Sequence, residues 1–132
     1  MIKEGALSGI KVIDLTRVIS GPFCTLLLAD MGAEVIKIEP PKGDNVRNQG
    51  EFVDGYSAYF AQFNRNKKSV DLDLYQSEDK EKLKKILKNA DVIVDNFRPG
   101  VLAKMGFDRN TLSSINPSDY ESVISSVITS GR

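Results

Sequence analysis

Short β-branched runs, each followed by a segment able to coil, constrain this chain more than any other feature. KVIDLT, EVIKIE and DVIVD occupy residues 11–16, 34–39 and 91–95. Each is rich in Val and Ile and bounded by turn residues, as buried strands are. The first reads as a strand from about Lys11 to Thr16. RVISGP then turns the chain, with Pro22 suited to a first helical position, where its missing N–H costs nothing. FCTLLLAD is apolar nearly all round, as a helix pressed on a sheet would be. Gly32 suits the residue just past the helix end. The second strand spans about Glu34 to Glu39, and Pro40 and Pro41 close it. Strand, helix and strand within about thirty residues make a βαβ unit, with a parallel pair and a right-handed crossover.

Residues 40–56, PPKGDNVRNQGEFVDGY, are the least regular stretch. A loop of that length in a small domain is either functional or mobile. A short helix is predicted from Ser57 to Phe63, and NRNKK reads as a polar turn. SVDLDL alternates, with Val70, Leu72 and Leu74 on one side and Asp71 and Asp73 on the other, the period of a half-buried strand. Ser77 is the expected N-cap of a helix. Its Leu83, Ile86, Leu87 and Ala90 form an apolar stripe, and lysines cover the remaining surface. Asp91 to Asp95 is a further strand. Pro99 to Lys104 and Thr111 to Ile115 are short helices, and Tyr120 to Thr129 is a last strand. The order predicts a mostly parallel α/β domain. Its helices are few and short for such a sheet, which needs cover on both faces.

Composition removes whole classes of chemistry. The chain has 132 residues, enough for one modest domain. It has no histidine, which excludes a histidine base, a histidine metal site or a Ser-His triad built within it. Its single cysteine, Cys24, excludes an internal disulfide framework and a multi-thiolate zinc site. Eighteen basic residues balance eighteen acidic ones, so no global field draws the chain to nucleic acid or to an anionic membrane. No apolar run approaches the roughly eighteen residues of a membrane span. MIKEGALSG lacks the apolar core of a signal peptide, so the cytoplasm is the expected location.

Ligands of open parallel sheets bind outside the carboxyl ends of the strands. TRVISGP, EPPKGDN and DNFRPG leave strands at that end and should converge. SGP before a helix either aims backbone N–H groups at an anion or is a plain tight turn. Arg98 beside a Pro-Gly turn suits a phosphate or carboxylate, or is a solvated loop arginine. Asp14 and Glu39 lie at strand ends. The stronger expectation is that Asp14 bonds neighbouring N–H groups and Glu39 positions a loop. Arg65, Lys67 and Lys68 form a short basic cluster, diluted by Asp71 and Asp73. Cys24, beside Leu27 and Leu28, reads as a small hydrophobe. Neither G-x-G-x-x-G nor the P-loop pattern is present, which disfavours a nucleotide-binding domain of the familiar kinds.

Taken together, LSGIKVIDLTRVISGPFCTLLLADMGAEVIKIEPPKGD, FNRNKKSVDLDL, ADVIVDNFRPGVLAKMGFD and LSSINP resemble one family, the class III CoA-transferases, also called CaiB/BaiF. The likeness runs from about Leu7 to Ile124, in matching order and spacing. It rests on the combination of GP-x-C/A-T, GAEVIKIE, NRNKKS and VDNFRPG. It implies a Rossmann-like, mostly parallel sheet with flanking helices, incomplete relative to the family's full fold. Residues 1–132 would be the N-terminal part of its large domain.

The resemblance also implies a coenzyme A site. Ile19 and Ser20 match backbone positions beside the coenzyme. Leu72, Asp73, Leu74 and Tyr75 match a stretch that runs along it, and Asn96, Phe97 and Arg98 match a loop that borders it. Lys104 stands where the family has an arginine at the phosphates, and it keeps the charge. Pro40 stands where some members place an arginine against the adenine. Arg47, in the long loop, is a further candidate for a phosphate.

In the family an aspartate attacks the acyl-CoA donor, dividing one hard exchange into easier covalent steps through a mixed anhydride and an aspartyl-CoA thioester. That aspartate is expected beyond Arg132, so no catalytic residue is assigned here. The expected substrates are an acyl-CoA and a carboxylic acid, with no covalently bound cofactor. The expected partner is a second copy or a complementing chain, with no nucleic acid and no membrane. The alternative is a non-catalytic CoA- or partner-binding module completed by a second polypeptide. Either way the sheet should expose an edge or face that further segments would cover, leaving marginal stability.

Overall fold

The computed structural model describes residues 4–117 and 123–125. Within them the chain runs β1 (Lys11–Asp14), α1 (Ser20–Asp30), β2 (Glu34–Glu39), a 3-10 turn (Asn45–Asn48), β3 (Phe52–Val53), β4 (Tyr56–Ser57) and α2 (Ala58–Asn64). It continues through β5 (Lys67–Asp71), α3 (Ser77–Leu87), β6 (Val92–Asp95), α4 (Val101–Lys104), α5 (Arg109–Ile115) and β7 (Val123–Ser125). Among the described residues no helix is long and apolar enough to cross a membrane.

The main sheet has the order β5-β2-β1-β6-β7, and every neighbouring pair is parallel. The chain starts in the middle, moves outward through β2 to β5, and returns to the other side of β1. Right-handed crossovers in opposite directions place α1 on one face and α3 on the other. This is the order of the doubly wound dinucleotide-binding folds, and it creates a switch point between β1 and β6. The expected α/β class, Rossmann-like and mostly parallel with flanking helices, is what the chain adopts.

Strand residues alternate between the faces. Ile13, Ile38 and Ile93 join Leu83 and Leu87 of α3, and Phe107 and Leu112, in the larger core. Val12, Val35 and Val94 pack on the other face with Ala29 and Ala33. On β1 and β2 that second face is apolar only near the amino ends of the strands. Toward the carboxyl ends it carries Asp14, Lys37 and Glu39, all buried.

Several boundaries differ from expectation. Pro22 is the third residue of α1 rather than the first. Proline is tolerated there because the first N–H groups of a helix have no intrahelical acceptor anyway. Ser57 is the N-cap of α2 rather than its first residue, accepting from the Phe60 N–H at 3.1 Å. Ser77 opens α3 but does not cap it; Gln76 holds the cap position. Asp79 reaches back instead, accepting from the Asp73 N–H at 2.8 Å. The strand predicted over SVDLDL lies two residues earlier, so NRNKK is only partly a turn. Leu72 ends the pairing by donating its N–H to Glu39 O at 2.8 Å. Val70, Leu72 and Leu74 nevertheless belong to one core cluster.

The irregular stretch at 40–56 holds the 3-10 turn and a β3–β4 hairpin. Asp54 and Gly55 close that hairpin with φ of 50° and 81°, the left-handed pair a two-residue turn demands. Helix α5 begins at Arg109, earlier than Thr111, because Asp108 caps it. Of the last predicted strand, Val123–Ser125 pairs with β6, and the remainder lies outside the described residues.

Candidate functional site

The loops leaving β1 and β6 separate toward opposite faces, yet they are tied at the switch point. The Arg17 N–H donates to Asn96 Oδ1 at 2.9 Å, and Asn96 Nδ2 donates to Arg17 O at 2.8 Å. The Arg17 guanidinium folds back on its own turn, donating to Thr16 O at 2.9 Å and Leu15 O at 3.2 Å. It lies 5.8 Å from the centre of the Phe97 ring, within cation–π range. Burial pulls the guanidinium below its ordinary value, while Asp44, Asp14 and Glu39 pull the other way. Locally the sequence marks Arg17 only by its place directly after a strand at a sheet's carboxyl rim.

Helix α1 starts immediately beyond. A Cβ on Gly21 would lie 2.3 Å from Thr16 Cβ, so only glycine lets the helix begin against the strand exit. No side chain caps this helix, which leaves its amino end without a side-chain partner for its N–H groups.

Below the rim lies a connected set of buried charges. Asp14 Oδ1 accepts from Thr16 N at 2.8 Å and Thr16 Oγ1 at 2.5 Å. Asp14 Oδ2 accepts from Thr25 Oγ1 at 2.6 Å and Lys67 Nζ at 3.0 Å. Lys67 also donates to Pro22 O at 3.0 Å and Asn64 Oδ1 at 2.9 Å. Burial lowers the Lys67 ammonium, and Asp14 opposes the shift.

Glu39 accepts from Arg47 Nε at 2.8 Å and Nη2 at 2.6 Å, from Asp44 N at 2.9 Å and from the Ser69 hydroxyl. Burial alone would raise its carboxyl, but these donors hold it down at about 2. Asp14 and Glu39 thus take the roles expected of them, bonding backbone N–H groups and fixing a loop. Arg47 is engaged by Glu39 and stacks 3.8 Å from the Phe60 ring centre. The expected basic cluster is not a patch: Lys67 is buried on Asp14, Arg65 pairs with Asp30 at 2.7 Å, and Lys68 with Glu34 at 2.7 Å. Cys24 is half-buried rather than enclosed.

The ten candidate contact residues lie just after strand carboxyl ends or within the helices that follow them. Ile19 and Ser20 follow β1, and Asn96, Phe97 and Arg98 follow β6, so these five flank the switch point. Leu72 to Tyr75 follow β5, at the far side of β2. Leu72 and Leu74 are core residues at 4% and 6% exposure, so only their backbone can face a ligand. The Asp73 carboxylate accepts from the Tyr75 N–H at 3.0 Å, and Tyr75 is exposed. Phe97 packs against the same core as Leu72 and Leu74, which links the two ends of the rim. Arg98 and Lys104 are exposed cations. Two open grooves lie beside β5. One, of about 580 Å³, is lined by Arg47, Tyr56, Phe60 and Lys67. The other, of about 400 Å³, is lined by Lys42, Arg47, Ser69 and Asp71. None of the ten candidates lines either groove.

The described rim thus carries one part-buried arginine, Arg17, at the switch point, with the exposed cations Arg98 and Lys104 beyond it. The family model of CoA-transferase family III matches residues 7–118, and the chain belongs to that family. It is 45% identical over 118 residues to succinyl-CoA:mesaconate CoA-transferase of Haloarcula hispanica, covering 86% of this chain and 30% of that protein. It is 47% identical over 114 residues to formyl-CoA:oxalate CoA-transferase of Afipia carboxidovorans, covering 85% and 27%. A CAIB/BAIF family protein from Brucella suis superposes with a TM-score of 0.81 at 39% identity, covering 86% of this chain and 32% of that one. The chain therefore spans about a third or less of the length of these relatives.

Proposed function

We propose that this chain is the coenzyme A-binding N-terminal part of the large domain of a family III CoA-transferase, which moves CoA between an acyl-CoA and a carboxylic acid. The observation that carries the reading is the switch point. Two loops joined by the Arg17–Asn96 pair frame the crevice where doubly wound sheets bind ligands. The backbone at Ile19 and Ser20 and the loop Asn96, Phe97 and Arg98 lie along the coenzyme. Arg98 and Lys104 meet its phosphates, and the turn from Leu72 to Tyr75 extends the same track. The coenzyme is substrate, not a covalently bound cofactor.

By itself the chain does not complete the transfer. Among the described residues, the buried carboxylates Asp14, Glu39 and Asp44 are each held by several donors, and Asp95, which accepts only from the Phe97 N–H at 3.2 Å, is enclosed at 4% exposure, which leaves no buried carboxylate presented to a thioester. The nucleophile then comes from a further segment or chain. Phe23 and Leu27, one turn apart on α1, and Met31, at its carboxyl cap, are 48%, 42% and 47% exposed. That stripe favours completion by more polypeptide, from the same protein, a second copy or a complementing chain.

Calorimetric titration of CoA into the chain tests the reading. Saturable binding that weakens severalfold in Arg98→Ala and Lys104→Ala is the expected result. Isotope-labelled CoA exchange should be undetectable with the chain alone. Absence of CoA binding, or turnover by the isolated chain, overturns the respective half.

A further inference from the structure

The turn between β1 and α1 is held in an unusual shape from inside the protein. Val18 has φ of 69°, in the left-handed region that a β-branched residue seldom enters. Its side chain is 47% exposed, so packing of that side chain does not enforce the backbone. Hydrogen bonds do. The Val18 N–H donates to Asp44 Oδ2 at 3.3 Å. The same Asp44 oxygen pairs with Lys37 Nζ at 3.1 Å, and Lys37 Nζ donates to Thr16 O at 3.0 Å. Between those two anchor points, Arg17 is fixed to Asn96.

The Lys37 and Asp44 side chains are 1% and 0% exposed. Burying such a pair gains little net stability, and the best-attested use of one is to specify conformation. Asp44 is itself placed by Glu39, which accepts its N–H at 2.9 Å. The loop after β2 thus reaches across to shape the loop after β1.

We propose that Lys37 and Asp44 are positioning residues: their buried pair clamps the β1–α1 turn with Val18 left-handed, which presents the Ile19–Ser20 backbone to the coenzyme. The clamp deepens the coenzyme-binding reading and rests on it for its purpose. Strain of this kind persists where surrounding structure over-determines it, and it gathers at ligand-contacting turns.

Two measurements on the whole chain test it, CoA affinity by calorimetry and amide exchange by mass spectrometry. Asp44→Asn should speed exchange at residues 17–20 while leaving β1 protected, and should weaken CoA binding by about tenfold. Adding Val18→Gly to Asp44→Asn should recover at least about threefold of that loss, because glycine takes a left-handed φ freely. A pair that served stability alone would gain nothing from glycine in an exposed turn.

Val18→Pro covers the case in which Asp44→Asn fails to fold. It leaves both charges in place but fixes φ near −65° and removes the N–H. It should lose about tenfold or more in affinity with an unchanged circular dichroism spectrum. Native affinity in Val18→Pro, or unaltered exchange at 17–20 in a folded Asp44→Asn, overturns the clamp and leaves the coenzyme reading standing. Faster exchange at 17–20 in Asp44→Asn, together with an unaltered chain that binds no CoA, overturns the coenzyme reading and supports the clamp.

Discussion

The two faces of this one sheet exclude water by different means. Under α3 the strands present Ile13, Ile38 and Ile93 to Leu83, Leu87 and Phe107, and the layer is apolar. Under α1 and α2, β1 and β2 present Val12 and Val35 near their amino ends. Nearer the carboxyl rim they present Asp14, Lys37 and Glu39, each at most 1% exposed. The first face depends on volume and shape. The second depends on every charge keeping its partner, since an unpaired buried charge is far more costly than a small cavity. The ionic face sits beneath the rim where the coenzyme is proposed to lie. Specific hydrogen bonds fix loop geometry there more sharply than apolar packing would.

The comparison breaks most visibly by removing one partner. Asp14→Ala leaves the buried Lys67 ammonium without its counter-charge and the Thr16 hydroxyl without its acceptor. It should cost about 3–5 kcal/mol, read as a lowered urea midpoint. On the apolar face, Leu83→Ala empties a site with 0% exposure and should cost about 2–5 kcal/mol, according to how far the site collapses. An ionic-face loss below about 2 kcal/mol, short of both ranges, would contradict the contrast.

Titration separates the faces by sign. Glu39, on the ionic face, is held at about 2, below its ordinary 4.5. In falling pH the unfolded chain takes up that proton first. The stability Glu39 confers is therefore complete above about 4.5 and is lost as pH falls through about 2, on the order of 3 kcal/mol in all. Asp95, next to Val94 on β6, points by alternation to the apolar side. Burial raises its carboxyl, and only the Phe97 N–H lowers it, so its protonation should favour the folded chain. Carbon-detected NMR titration of the two carboxyls should place Glu39 below and Asp95 above the usual range; shifts of the same sign would refute this. The smallest effect is steric. Gly21→Ala drives a methyl into Thr16 and should cost about 1–3 kcal/mol, read by thermal melting.

Much of the apolar face was legible beforehand. The stripe of Leu83, Ile86 and Leu87, and the common side of Val70, Leu72 and Leu74, follow from local periodicity. Periodicity survives even where a strand end is misplaced by two residues, because a shift of two returns every side chain to the same face. The rim was legible as a set of strand exits, and the roles of Asp14 and Glu39 were anticipated. Arg17 was not found, because an arginine after a strand looks the same whether it is solvated or folded onto its own turn. Lys67 was read as part of a surface cluster for a similar reason: Asp14, its partner, is 53 positions away.

The amino-acid order alone determined the alternation of strand and helix, the parallel class and the family, since each is written in short-range patterns of side-chain size and polarity. Tertiary structure decided which charged strand residues turn inward, how the β2 loop holds the β1 turn, and that Arg17 and Asn96 meet across 79 positions. Those outcomes depend on the order in which strands lie side by side, which brings distant segments within the few ångströms over which an ion pair or a hydrogen bond acts.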